Sequence, residues 1–183
     1  DDDLLVRIHA VSVNPIDWKI RSGALRLLSG GNFPRIPGSD FSGEVLSTGK
    51  NTRRFQKGDR VFGMLPPMKG GAFATLAAVP ERLAAQAPRN LTYEECAAVP
   101  LAGLTALQAL RDPGGIQDSQ KVLIYGAAGG VGTFAVQIAR IFQADVTAVA
   151  SGSSEEIVRS AGANRFIDYT RENFARIDSK YDI

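Results

Sequence analysis

The chain has 183 residues, with 21 Lys and Arg against 19 Asp and Glu, a net charge of +2, one Cys and one His. So weak and dispersed a charge leaves no footprint for a nucleic acid or a membrane surface, and no apolar run approaches the ~20 residues that cross a bilayer. A lone Cys excludes an internal disulfide, and one Cys with one His cannot supply the four ligands of a structural zinc site. The opening DDDLLVRIHA is not a signal peptide, and the chain is read as cytoplasmic.

Taken in order, the first half is a series of short β segments: LLVRIHAVSV, FSGEVLSTG, DRVFGML and GAFATLAAV. Each is bounded by Gly, Pro, Asp or Asn, and several short strands punctuated by turns predict a barrel or sandwich. RSGALRLLSGGNFPRIPG, with Pro34 and Pro37, reads as a loop-rich excursion. His9, on the first strand, reads as a packed or surface residue.

At Thr92 the texture changes, which divides the chain into 1–91 and 92–183. TYEE is a capping box, Thr92 and Glu95 satisfying each other's backbone N–H groups. That helix is expected to end near Val99, because a residue before proline is pushed out of helical geometry. LAGLTALQALRD restarts as a helix, and Cys96 reads as a small buried core residue. After Gly114–Gly115 come strands KVLIYG, DVTAVA and RFIDY, alternating with helices over Val131–Phe142 and Ser154–Ala161. Val131, Phe134, Ala135, Ile138 and Phe142 fall at helical spacing and predict the stripe that lies on a sheet. Strands alternating with helices predict a parallel sheet.

Within KVLIYGAAGGVGTFAVQIA the order is strand, glycine turn, helix. Gly129 and Gly132 are the last two glycines of G-x-G-x-x-G, and Ala127 replaces the first. Gly129 lets a pyrophosphate approach the backbone, the helix start at Gly130–Val131 offers free N–H groups, and Gly132 allows close packing of helix on strand. In a βαβ context this points to a dinucleotide. An NAD site places a carboxylate at the end of the second strand. Here Ser151, Gly152, Ser153 and Ser154 stand there, which favours NADPH. Arg159 and Arg165 are the phosphate partners considered.

The segments GSDFSGEV, KGDRVFG, AAVPLAGLTALQAL, VLIYGAAGGVGTFAVQIA and GANRFIDYTRENF resemble the zinc-independent quinone oxidoreductases of the medium-chain dehydrogenase/reductase superfamily. The resemblance runs from Leu4 to Ile183. It implies an α/β plus β fold, a GroES-like β-barrel domain followed by a Rossmann domain, with the active site in the cleft between them. It also implies hydride transfer from NADPH to a quinone or to the C=C bond of an enal or enone. The zinc-dependent relatives hold their metal with a Cys-His-Cys set, and those places carry Asn14, Ser39 and Leu101 here. Asn14 matches an asparagine at the nicotinamide end, able to orient the carboxamide or polarise a carbonyl; locally it also reads as a turn residue before Pro15. Lys19 stands where relatives carry a tyrosine facing the active site, and is either a proton donor or a solvated lysine. Asp17 reads as a turn cap. Thr105 matches a threonine near the cofactor, and Gly129, Gly130 and Val131 match the phosphate turn. Ser151 and Tyr169 match positions near the adenosine ribose and its 2′-phosphate. Ser154 replaces a lysine that some relatives use for that phosphate.

The same resemblance implies an incomplete pair of domains. KYDI is expected to begin a fourth strand, with the nicotinamide-side half absent and its sheet edge exposed to mispairing. The chain is therefore expected to be a fragment that binds NADPH weakly and turns over poorly, from a full-length protein that forms a homodimer. Other readings kept open are an NAD(P)-dependent alcohol dehydrogenase of the same fold and a non-catalytic NADPH-binding scaffold.

Overall fold

Alternation of apolar and polar side chains makes β1 (Asp3–Val11) a one-sided strand, with Leu4 and Val6 fully buried and Arg7 exposed. The computed structural model that shows this describes residues 1–30, 34–174 and 180–183. The described chain forms two compact units, Asp1–Leu101 and Ala102–Ile183.

In the first unit β1 joins β2 (Asp40–Thr48), β3 (Arg60–Met64), β4 (Leu76–Pro80) and β5 (Ala84–Gln86) in an antiparallel sheet of order β4-β1-β2-β3-β5. The two outer strands are joined by only three residues, Glu81–Leu83. Five strands laid flat would separate their margins by about 19 Å, whereas that link spans at most about 14 Å even when extended. The sheet must therefore roll up, and its inner face collects Leu4, Val6, Phe41, Val45, Val61 and Val79 as the core. The corner is pinned at Glu81, whose Oε1 accepts the backbone N–H groups of Arg53 and Arg54, both at 2.7 Å.

GAFATLAAV contributes a strand only from Leu76 onward, and the three-residue β5 carries too little pattern to be found by sequence. The loop-rich excursion includes a helical turn, α2 (Arg26–Ser29); its Gly31, Asn32 and Phe33 lie outside the described residues. Ahead of it Pro15 opens α1 (Pro15–Arg21), as suits a residue with no N–H to leave unpaired. The capping box at Thr92 and Glu95 is present, with bonds of 3.2 and 2.8 Å, and starts α3 (Tyr93–Ala97). This helix packs on β1, β2 and β3, so it sits with the first unit. α4 (Pro100–Arg111) follows, with Pro100 as its first residue.

The second unit has a parallel sheet of order β6-β7-β8, from β6 (Lys121–Tyr125), β7 (Asp145–Ala150) and β8 (Arg165–Asp168). α5 (Gly130–Ile141) connects the first two strands and α6 (Glu155–Ser160) the last two. The helix face buried on the sheet is not quite the predicted stripe. Gly132, Ala135, Val136 and Ala139 are buried, Val131 is exposed, and Phe134, Ile138 and Phe142 pack only partly against the core. Small residues let the helix lie close to the strands, and the larger ones then fall to the flanks. Beyond β6, Leu123 N–H donates to the Ile183 carbonyl at 2.9 Å and Ile183 N–H to Lys121 at 3.4 Å. This is one step of a parallel ladder, where KYDI is expected to begin a strand.

Candidate functional site

The turn after β6 is built by backbone geometry. Gly126 adopts φ +72°, a left-handed conformation natural to glycine. The N–H groups of Gly126 and Ala127 both donate to Val149 O, at 3.0 and 3.1 Å. Gly126 thus provides the sharp bend that the missing first glycine of the fingerprint would have provided, one position earlier. Sequence reasoning missed it by holding to the fingerprint's spacing.

Gly129 then caps α5 without a side chain. A Cβ on Gly132 would lie 2.2 Å from the Gly126 carbonyl and 2.7 Å from Ala127 Cα, so this glycine is required by the protein's own packing. A Cβ on Gly130 would meet nothing within 4 Å, and one on Gly129 only the Gly126 carbonyl at 3.3 Å. Neither residue has positive φ. Gly130 therefore has open space above it, while Gly129 sits close to the turn's own backbone. Gly130, Val131 and Gly132 occupy the first turn of α5, whose N–H groups have no partner within a helix. Thr105 is exposed on α4.

At the end of β7 the serine hydroxyls gather: Ser151 Oγ lies 3.1 Å from Ser153 Oγ and 3.3 Å from Ser154 Oγ. No carboxylate terminates β7; the nearest comes from the neighbouring strand. Ala150 pairs with Asp168, and Tyr169 N–H donates to Ala150 O at 3.2 Å. Asp168 Oδ1 accepts from the Thr170 hydroxyl at 2.7 Å and from its N–H at 2.9 Å, and Gly152 N–H donates to the same carboxylate. These bonds, the Thr170 hydroxyl's first, hold the Asp168 carboxyl below its ordinary range. Tyr169 is half exposed, its ring centroid 6.4 Å from that of Tyr125, and both rings line an open cavity of about 440 Å³ with Arg171. Of the arginines considered from sequence, Arg159 donates to Glu155 at 2.7 Å, and Arg165 lies at the opposite end of β8, beside Thr147.

In the first unit Asn14 is buried at the start of α1, and its side chain points into a polar network. Its Nδ2 donates to Asp40 Oδ2 at 2.9 Å and to Ser12 Oγ at 3.2 Å. Ser12 Oγ also donates to Asp40 Oδ2 at 2.7 Å, and Leu101 N–H donates to Oδ1 at 3.0 Å. A carboxylate only accepts, so the Asn14 atom facing it must be the nitrogen. Both amide hydrogens are thereby used within the protein, which leaves Oδ1 as the acceptor of the side chain. Burial of Asp40 raises its carboxyl above the ordinary range, against the lowering effect of its three donors. Asp17 is the cap expected: its Oδ2 accepts the Asn14 backbone N–H at 2.8 Å.

The three positions aligned with the zinc-binding set thus converge. Asn14 and Leu101 both bond Asp40, and Ser39 precedes it in the chain with a buried Oγ that has no partner among the described residues. Sequence reasoning missed Asp40 itself, although GSDFSG placed a carboxylate at the start of an apolar strand. Among the described residues no three His, Cys, Asp or Glu side chains are grouped to hold a metal ion. Lys19 is not brought to this network. It is exposed, with Nζ 5.7 Å from the Trp18 ring centroid. His9 stacks on Tyr93 at 4.4 Å, and Cys96 is fully buried.

Comparison with known proteins fits this geometry. Residues 1–89 match the alcohol dehydrogenase GroES-like domain. The chloroplast envelope quinone oxidoreductase homolog of Arabidopsis thaliana is 38% identical over 190 residues, covering 99% of this chain and 58% of the relative. The structure of the quinone oxidoreductase from Coxiella burnetii superposes with a TM-score of 0.90 at 34% identity, over 98% of this chain and 57% of that one. The Escherichia coli quinone oxidoreductase complexed with NADPH gives 0.80 at 28% identity, over 94% and 52%. The chain thus spans little more than half the length of these relatives. Among the described residues no helix is long and apolar enough to cross a membrane. The cytoplasmic expectation finds no support in a relative named for the chloroplast envelope.

Proposed function

We propose, for a chain that belongs to the quinone oxidoreductase family of the medium-chain dehydrogenase/reductase superfamily, that it is the part of a zinc-free reductase that grips NADPH. The protein reduces a quinone or the C=C bond of an enal or enone. The observation that carries this reading is the open space over Gly130 at the start of α5, a glycine that neither positive φ nor packing requires. The backbone N–H groups of Gly130, Val131 and Gly132 donate to the diphosphate, helped by the positive end of the α5 dipole. Ser151, Ser154 and Tyr169 surround the adenosine ribose, and Thr105 lies at the cofactor.

When bound, NADPH supplies the hydride. Asn14 presents Oδ1 and accepts a hydrogen bond from a donor such as a carboxamide NH₂. It does not polarise a carbonyl, because Asp40 and Ser12 hold its two hydrogens. Lys19, exposed and able to recover protons from water, donates a proton to the reduced oxygen. Asn14, Ser39 and Leu101 offer no ordinary zinc ligand, which supports chemistry without a Lewis acid.

Calorimetric titration of the protein with NADPH and with NADH tests the reading. Saturable binding with NADPH the tighter ligand is expected; no heat with either would overturn it.

A further inference from the structure

We propose that Arg171, reaching from the end of β8, is the residue that selects a 2′-phosphorylated nucleotide. This rests on the dinucleotide reading above and adds to it the cation that the serine loop lacks. Parallel pairing of Ala150 with Asp168 brings the ends of β7 and β8 side by side. The chain then turns back on itself, the Arg171 and Glu172 N–H groups donating to the Asp168 carbonyl at 3.0 and 2.9 Å. Arg171 is therefore held at the same end of the sheet as Ser151, Ser153 and Ser154.

One carboxylate oxygen joins the two features. Asp168 Oδ2 lies 3.5 Å from Arg171 Nε and 2.5 Å from where a Gly152 Cβ would stand. Arg171 keeps its side chain 83% exposed, while that of Asp168 is 11% exposed. Its guanidinium is thus tethered on one side and open on the other. The remaining donors of the patch are hydroxyls. A doubly charged phosphate competes with the single, already hydrogen-bonded Asp168 carboxylate for Arg171. A ribose 2′-hydroxyl has no charge with which to do so, and the Asp168 carboxylate is already occupied by Thr170 and Gly152. Asp168 acts here as a positioning residue for both loop and arginine. Glu172, which lines the same cavity, opposes a phosphate.

The test compares dissociation constants for NADPH and NADH in the unaltered protein and in Arg171→Gln, Arg171→Lys and Glu172→Gln. Removing the charge is expected to weaken NADPH about 10- to 100-fold and leave NADH unchanged. NADH binding also shows that the variant is folded. The lysine variant should keep part of the selectivity, and Glu172→Gln should tighten NADPH. Equal loss for both nucleotides, or no loss for either, would overturn the assignment while leaving the dinucleotide reading intact. Failure of the unaltered protein to bind either nucleotide would remove that reading and this one with it.

Discussion

Asn14 donates its side-chain amide to Asp40 at 2.9 Å, across 26 positions of sequence. The contact fixes which atom of the asparagine faces the carboxylate, and so leaves Oδ1 as its acceptor. Asp40 is the centre of this arrangement, with Ser12, Asn14 and Leu101 all donating to it.

Replacing Asp40 by alanine removes the shared acceptor of Ser12, Asn14 and Leu101 and is expected to cost about 2–4 kcal/mol, read by urea denaturation. The pH dependence has a definite sign. Burial raises the folded-state carboxyl above 3.8, so the fold binds the protonated form better than the unfolded chain does. That contribution is complete below pH 3.8 and is lost as pH rises through the folded value. Asp40→Asn should lack this decline. Parallel stability–pH profiles for the two proteins would contradict the burial argument.

Gly130→Ala and Gly132→Ala separate ligand from fold. At Gly132 a Cβ would strike the turn's own backbone at 2.2 Å, and a loss of about 1–3 kcal/mol is expected. At Gly130 the methyl enters open space, so thermal stability should hold while NADPH affinity falls at least about tenfold, the cost of a lost charge-assisted bond or two. An alanine at 130 with unchanged affinity would mean that the space serves no diphosphate.

Lys19→Met tests the proton-donor role. Because Lys19 is exposed and makes only a cation–π approach to Trp18, stability should change by less than about 0.5 kcal/mol. Turnover of a quinone by the protein should fall about 10²-fold, in line with loss of a general acid, with the NADPH dissociation constant unchanged. Unaltered turnover would return Lys19 to the solvated surface.

Cys96 is fully buried, and that burial pushes its thiol above the ordinary value of 9.0. Reaction with a disulfide reagent near neutral pH should be at least about tenfold slower than in the urea-unfolded chain, since the thiolate is the nucleophile. Equal rates would show that the α3 region opens readily.

Much of this architecture was legible because its signals are local. Thr92 and Glu95 announce a helix start within four residues, and DVTAVA is a strand on its own composition. What escaped depends on partners far away in sequence. Ala84–Gln86 is a strand only because Arg60–Met64 lies beside it. The stripe on α5 found Ala135 but missed Gly132 and Ala139, because hydrophobicity alone does not reveal where the strands demand small residues. The site divides in the same way. The glycine turn could be read in place, but Asp40 and Asp168 acquire meaning only from what the fold sets against them. Arg159 and Arg165 are the arginines sequence suggested, Arg171 not among them, and the register of β8 places Arg165 at its far end.

The three-residue corner from Pro80 to Ala84 closes the rolled sheet with no slack. A hoop fastened by so short a clasp cannot widen at one wall without dragging the opposite wall along. Asp40, on the middle strand of this sheet, is thus held by the covalent link between the margins as well as by the ladder bonds of β2 to β1 and β3.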